Sequence, residues 1–585
     1  MKRLVAIRAL AAVFACALIF GVTATVGAPK TEAKSPAPAF ETQPCTIELP
    51  EGQPAERVEC GFVDVPEDHF RSSSRTIRLA VAVIHSTAVT PRPDPILYLS
   101  GGPGGPSLEG EMLGFGSSGM SDLFLQDRDV VFYDQRGTGL SQGLYCPELE
   151  DITIDFLRGD ITDEEAGRRN DEALASCHAG YVADGVDLSK YTTAASALDI
   201  VDVMTALGYE DWNLYGVSYG TRLALITMRD AQTHIRSVVL DSTYPPQVDG
   251  AINNSRTFER ALDEVFAGCA ADSACHAAYP NFEEDYFDLV SRANEDPLRV
   301  TVTSPAGESI PIRITGDDIA SGTFSALYST DLVPIIPYAI EEIAHGNLGL
   351  LASIASDLVF SGGGFAPGMQ ISVECNEEVP FFTAAALEDA TADIRPAILD
   401  VSIGITTKEE LTNQEEFCDD WTPKHEGSKA NAAVHSPIPT LVLAGQYDPI
   451  TPPEWGQLAA RTLSNSFYFE FPSTGHGVIY GQYDCASTVV LAFLGQPRDE
   501  PDAACAGEIP PPAFQVSTAP SPTPEPSPTP VPPVVPVGIA GPDTGSGGYI
   551  GRESTSTPGS VALIGLSVLL AIGIGCCVMR GRTMP

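Results

Sequence analysis

Serine is a weak nucleophile until a neighbouring base takes its proton, and the base needs an acid to orient it. Three motifs supply these groups. Ser218 is central in Gly216-Val217-Ser218-Tyr219-Gly220, Asp448 ends the stretch LVLAGQYD, and His476 lies between Gly475 and Gly477. A serine at the tip of a tight strand-to-helix turn needs neighbours almost free of side chain two positions either side, which Gly216 and Gly220 provide. The runner-up acid is Asp241, which follows an earlier apolar strand. Acyl attack also creates an oxyanion that needs backbone donors. The N–H of Tyr219 is one, and Gly102 in Ser100-Gly101-Gly102-Pro103-Gly104-Gly105 supplies the other. That glycine run lacks the G-K-[ST] of a phosphate loop.

These residues need a frame that brings distant parts of the chain to one edge. Short apolar strands are predicted at 57–65, 76–84, 95–99, 129–133, 212–215, 237–240, 439–444 and 467–471, with helices at 193–207 and 453–463. Apolar strands alternating with helices predict an α/β fold with a mostly parallel sheet covered on both faces. Residues 246–435 break the rhythm with helical stretches at 258–267, 282–293, 334–344 and 384–399, and read as a lid inserted into the sheet unit. The core then falls into two parts, 41–245 and 436–509, the second carrying the acid and the histidine.

The ends differ from the middle. Lys2, Arg3 and Arg8 precede the apolar run Ala9–Val22, and small residues follow, so 1–28 reads as a secretory signal peptide. Residues 510–560 are rich in Pro, Ser, Thr and Gly and read as an extended stalk. Residues 561–579 are long and apolar enough to span a bilayer, with Arg580 and Arg582 behind them, which predicts a single-pass anchor with the folded unit outside the cell. Ten cysteines lie between the two apolar ends, an even set that predicts disulfides in a secreted chain. Sequence neighbours are the expected pairs (45–60, 146–177, 269–275, 375–418, 485–505), because short loops close most readily. None forms a C-x-x-C pair, so no zinc site is expected, and no cofactor. A formal charge of −44 over 585 residues argues against nucleic acid as a partner.

Taken together, SGGPGG, DQRGTGLS, GVSYGTRLA, GQYDPITP and GHG, in this order, resemble the proline iminopeptidase and tripeptidyl aminopeptidase group of α/β-hydrolase peptidases, over roughly residues 45–505. Ser100 stands where proline iminopeptidases carry histidine. The resemblance implies the α/β-hydrolase fold, Ser218, Asp448 and His476 as a triad, and peptides with a free N-terminus as substrates. It also implies that Asp134 and Arg136 brace the glycine loop without taking part in chemistry. An exopeptidase must hold an ammonium group, which calls for carboxylates. Relatives take these from the lid, making Glu374, Glu377 and Glu378 in VECNEEVPF the candidates. A carboxylic ester hydrolase is the alternative, since esters and amides use the same triad, and a silent binding ectodomain is a third reading.

Overall fold

The computed structural model describes residues 38–517, except 118–119, 305–306, 361–363, 402 and 423. The predicted signal peptide, the anchor at 561–579 and the stalk beyond residue 517 lie outside the described residues. Among the described residues no helix is long and apolar enough to cross a membrane.

Eleven strands form in chain order: β1 (Phe40–Gln43), β2 (Val58–Pro66), β3 (Thr76–Ile84), β4 (Ile96–Leu99), β5 (Val130–Tyr133), β6 (Trp212–Val217), β7 (Ile235–Asp241), β8 (Leu298–Thr303), β9 (Ser309–Ile314), β10 (Thr440–Gly445) and β11 (Ser466–Phe471). Nine make one sheet in the order β1-β2-β3-β5-β4-β6-β7-β10-β11. The first three run antiparallel to their neighbours, and every pairing from β5 to β11 is parallel. β4, β5, β6 and β10 are buried along their whole length, as expected of parallel strands covered on both faces. On one face Tyr98, Phe132 and Leu443 pack with Phe115, Phe124 and Phe493. On the other, Leu97, Leu214 and Val442 pack with Ile200, Leu223 and Leu463.

All eight predicted strands form, with ends shifted by one or two residues. The predicted helices at 193–207 and 453–463 form as Thr193–Ala206 and Pro453–Ala460, while 384–399 divides into Ala384–Thr391 and Pro396–Leu399. Pro396 explains the division, because the residue before a proline is pushed out of helical geometry.

Between β7 and β10 the chain leaves the sheet. This insertion is not wholly helical: β8 and β9 form an antiparallel hairpin whose alternating burial faces Phe258, Leu289 and Ile340. Two helices from before β6, Glu148–Arg158 and Asp163–Ala183, join it, and Leu149 and Leu174 pack with Met369, Val373, Leu411 and Trp421. The five disulfides pair Cys45 with Cys60, Cys146 with Cys177, Cys269 with Cys275, Cys375 with Cys418 and Cys485 with Cys505.

Residues 510–517, whose composition reads as the start of a stalk, form a strap across the insertion. Gln515 N donates to Pro334 O and Tyr279 Oη donates to Gln515 O. Phe514 is 8% exposed, and a Cβ placed on Gly268 would lie 3.0 Å from its ring. A single aromatic overrides the local proline-rich composition because it finds an apolar socket. Phe514→Ala is therefore expected to cost about 3 kcal/mol and lower the thermal unfolding midpoint. An unchanged midpoint would mean that the strap does not hold the insertion in solution.

Candidate active site

Ser218 follows β6 directly with φ 57° and ψ −129°, and the helix Tyr219–Asp230 begins at the next residue. A positive φ strains any residue with a side chain, so neighbours must hold it there. Ser218 N donates to Asp241 O at 3.1 Å, and Ser218 O accepts from Thr221 N at 2.8 Å. A Cβ on Gly216 would lie 2.4 Å from Gly220 O, and one on Gly220 would lie 2.0 Å from Leu99 O. Both positions need glycine because backbones approach that closely. A Cβ on Gly101 would lie 3.1 Å from Ser218 Cβ, so the glycine loop rests against the serine side chain.

Asp134 holds that loop in shape. Its Oδ1 accepts from Ser107 N at 2.7 Å and Leu108 N at 2.9 Å, and its Oδ2 accepts from Leu140 N at 2.8 Å. Burial pushes its carboxyl up to about 6 against the pull of those hydrogen bonds. Gln135 Nε2 donates to Ser100 O, tying in the loop's first residue. Arg136 lies deeper, paired with Asp199 at 2.7 Å.

The acid and the histidine follow β10 and β11. Asp448 is fully buried. Its Oδ1 accepts from Ile450 N and Thr451 N, and its Oδ2 accepts from His476 Nδ1 and Thr451 Oγ1, both at 2.8 Å. Burial raises its pKa, but the adjacent imidazole and the backbone N–H groups outweigh burial and hold the carboxyl below its usual range. Thr451, which sequence reasoning missed, also sits 3.1 Å from His476 Nδ1. The signal was present in the D-P-I-T turn, where an aspartate accepts from the residue three positions on.

The histidine loop is fastened on three sides. His476 N donates to Tyr328 O, and the two rings stand 4.8 Å apart. Gly475 N donates to Thr330 Oγ1 and Ser473 Oγ donates to Pro510 O in the strap. Gly475 and Gly477 hold the loop in place. A Cβ on Gly475 would lie 2.6 Å from Leu327 O, and Gly477 has φ 74°. Asp241 accepts from Val478 N at 2.7 Å and Ile479 N at 3.0 Å, and from Tyr215 Oη. It anchors the turn after His476, and Asp448 is the carboxylate bonded to the imidazole. Among the described residues no direct hydrogen bond joins Ser218 Oγ to His476, as is common in ligand-free sites.

A cavity of about 150 Å³ opens over Ser218, lined also by Gly102, Tyr244, Tyr328, Glu374, Glu378, Thr451 and Trp455. A larger hollow of about 450 Å³ on the insertion contains none of the sequence-predicted residues. Glu374 accepts from Gln370 Nε2, and among the described residues no cation pairs with it; burial, then Glu378, push its carboxyl up to about 8. Glu378 Oε2 accepts from Tyr244 Oη at 2.5 Å, and its Oε1 stands 3.7 Å from Arg222 Nη1. Glu377 turns away from the cavity. It accepts from Thr193 N at the start of the helix Thr193–Ala206 and faces Arg222 Nε at 3.7 Å. Burial pushes Glu377 up to about 7 even so.

Residues 94–278 match the family model described as alpha/beta hydrolase fold, and residues 406–505 the one described as TAP-like protein. The chain is 24% identical over 473 residues to serine protease Hip1 of Mycobacterium tuberculosis, spanning 78% of this chain and 88% of the relative. It is 31% identical over 195 residues to a tripeptidyl aminopeptidase of Streptomyces lividans, 33% of this chain and 36% of the relative. Proline iminopeptidase of Mycobacterium smegmatis aligns over 75% of this chain and 98% of its own, at 16% identity and a TM-score of 0.35.

Gly220→Ala is expected to destabilise the protein by about 3 kcal/mol or more, because the new methyl meets the Leu99 carbonyl. Gly110→Ala, with open space around it, is the control. Urea unfolding of the two variants reads the difference, and equal midpoints would contradict so tight a turn.

Proposed function

On the premise that the chain belongs to the serine peptidases of the α/β-hydrolase type, we propose that it removes a residue or short peptide from substrates with a free N-terminus, through an acyl-enzyme. Ser218 Oγ attacks the scissile carbonyl while His476 takes its proton, and Asp448 holds the imidazole in the working tautomer. The oxyanion accepts hydrogen bonds from Tyr219 N–H, which as the first residue of its helix has no partner there, and from Gly102 N–H. His476 then gives the proton to the departing amine, and water releases the acyl group by the same steps in reverse.

What carries the exopeptidase reading is that Glu374 and Glu378 line the same cavity as Ser218. An ammonium group is all donor, and its charge favours the carboxylate form that burial opposes in Glu374, so the two glutamates fix where a chain must begin. We assign the amine contact to these two and leave Glu377 to Arg222 and Thr193. The insertion acts as the lid that carries them, its helix Pro367–Glu377 held by the bridge from Cys375 to Cys418. The five disulfides suit an oxidising compartment, in keeping with a unit held outside the cell by the stretch at 561–579. A carboxylic ester hydrolase would share the triad and differ in having no use for the two glutamates.

Fluorophosphonate labelling is expected at Ser218, and Ser218→Ala is expected to lower kcat by about 10⁶. Asp448→Asn should lower it by about 10⁴, whereas Asp241→Asn should act chiefly on stability. On paired free and N-acetylated peptides, Glu374→Gln is expected to reduce the preference for the free amine about 10- to 100-fold, the worth of a hydrogen bond to a charged group. Glu377→Gln should leave that ratio unchanged. A wild-type enzyme that hydrolyses simple esters but neither peptide would sink the peptidase reading.

A further inference from the structure

One buried carboxyl beside the site has no part in the steps above. Glu111 ends the irregular helical turn Ser107–Glu111 that follows the glycine loop. Its Oε2 stands 2.8 Å from Tyr480 Oη and 3.2 Å from Tyr98 Oη, and the two hydroxyls contact each other. Among the described residues no Lys or Arg pairs with it. The surroundings are apolar: Met112, Phe115 and Val217 belong to the same packed cluster as the two tyrosines.

The two tyrosines come from the two loops the chemistry requires. Tyr98 is in β4, two residues before Ser100 opens the glycine loop. Tyr480 is one turn after His476, in the helix Val478–Gly481, and packs so close to Gly477 that a Cβ there would lie 2.5 Å from its ring. Counting protons shows what the junction needs. Two hydroxyls carry two protons, enough for Tyr98 to donate to Tyr480 and Tyr480 to donate to a carboxylate. The third contact, between Tyr98 and Glu111, takes a third proton: a carboxylic acid at Glu111 donates to a free lone pair of Tyr98 Oη and closes the ring.

We propose that Glu111 is a positioning residue: it closes a hydrogen-bonded ring through Tyr480 and Tyr98 that sets the histidine turn and the glycine loop at the spacing turnover requires. The proposal rests on the reading of Ser218 and His476 as the reacting pair. Burial pushes Glu111 up to about 7, with the two tyrosine hydroxyls and His476 pulling it the other way. The groups that face the junction are Tyr98 from β4, Tyr480 and His476 from the histidine turn, and Asp241 from β7, which faces Tyr98.

The test is kcat and KM against pH, on a free peptide and on a small activated ester, for the wild type, Glu111→Gln, Tyr98→Phe and Tyr480→Phe. The phenylalanine variants keep the ring packing and remove only the hydroxyls. All three variants should lower kcat on both substrates about tenfold with KM little changed. Wild-type kcat in Glu111→Gln would overturn the proposal. So would a loss in all three variants that appears only in the unfolding midpoint. Fluorophosphonate labelling of Ser218 in each variant separates this outcome from failure of the peptidase reading, since an unlabelled wild type indicts the latter.

Discussion

One peptide unit at the end of β7 holds the two halves of the site together. The carbonyl of Asp241 accepts from the amide of Ser218, and its carboxylate accepts from the amides of Val478 and Ile479. A strained turn and a distant loop are thus hydrogen-bonded to the same residue, and neither can shift without breaking a bond to it. Burial pushes this carboxyl up to about 6, and the two amides and Tyr215 pull it back. Asp241 therefore orders the place where the chemistry is proposed to happen without itself being bonded to the imidazole.

The same economy appears in the insertion. His476 meets the carbonyl of Tyr328, Gly475 meets the hydroxyl of Thr330, and Ser473 meets the carbonyl of Pro510. The loop is set by the sheet, the insertion and the strap together. A cavity closed by the insertion and walled by Glu374 and Glu378 then shares its supports with the proposed base. The proposed amine contact and the proposed base are thus held by the same set of contacts.

Where local chemistry dominates, the sequence was a sufficient guide. The turn at Ser218 was readable because glycine at 216 and 220 has few other reasons to flank a serine between a strand and a helix. The strands were readable because buried parallel strands leave unbroken apolar runs. Asp448 and His476 were readable from their turns, and the disulfides from the low entropy of short loops. What escaped depended on distant partners. Thr451 matters only because an imidazole 25 residues further on comes within reach. Glu377 and its neighbour Glu378 look alike in the sequence, yet helical geometry turns one to Thr193 and the other to the cavity. The hairpin β8–β9, the helices at 148–158 and 163–183, and the docking of Phe514 all rest on sockets made by other parts of the chain.

The bridges have a consequence for how the molecule is made. Each closes over a sequence separation of 6 to 43 residues, with no other cysteine of the set in between. A polypeptide threaded amino end first into an oxidising space thus presents each thiol with its proper mate before the following pair arrives. Correct connectivity is then the kinetically nearest one, and maturation does not require a mispaired bond to be undone.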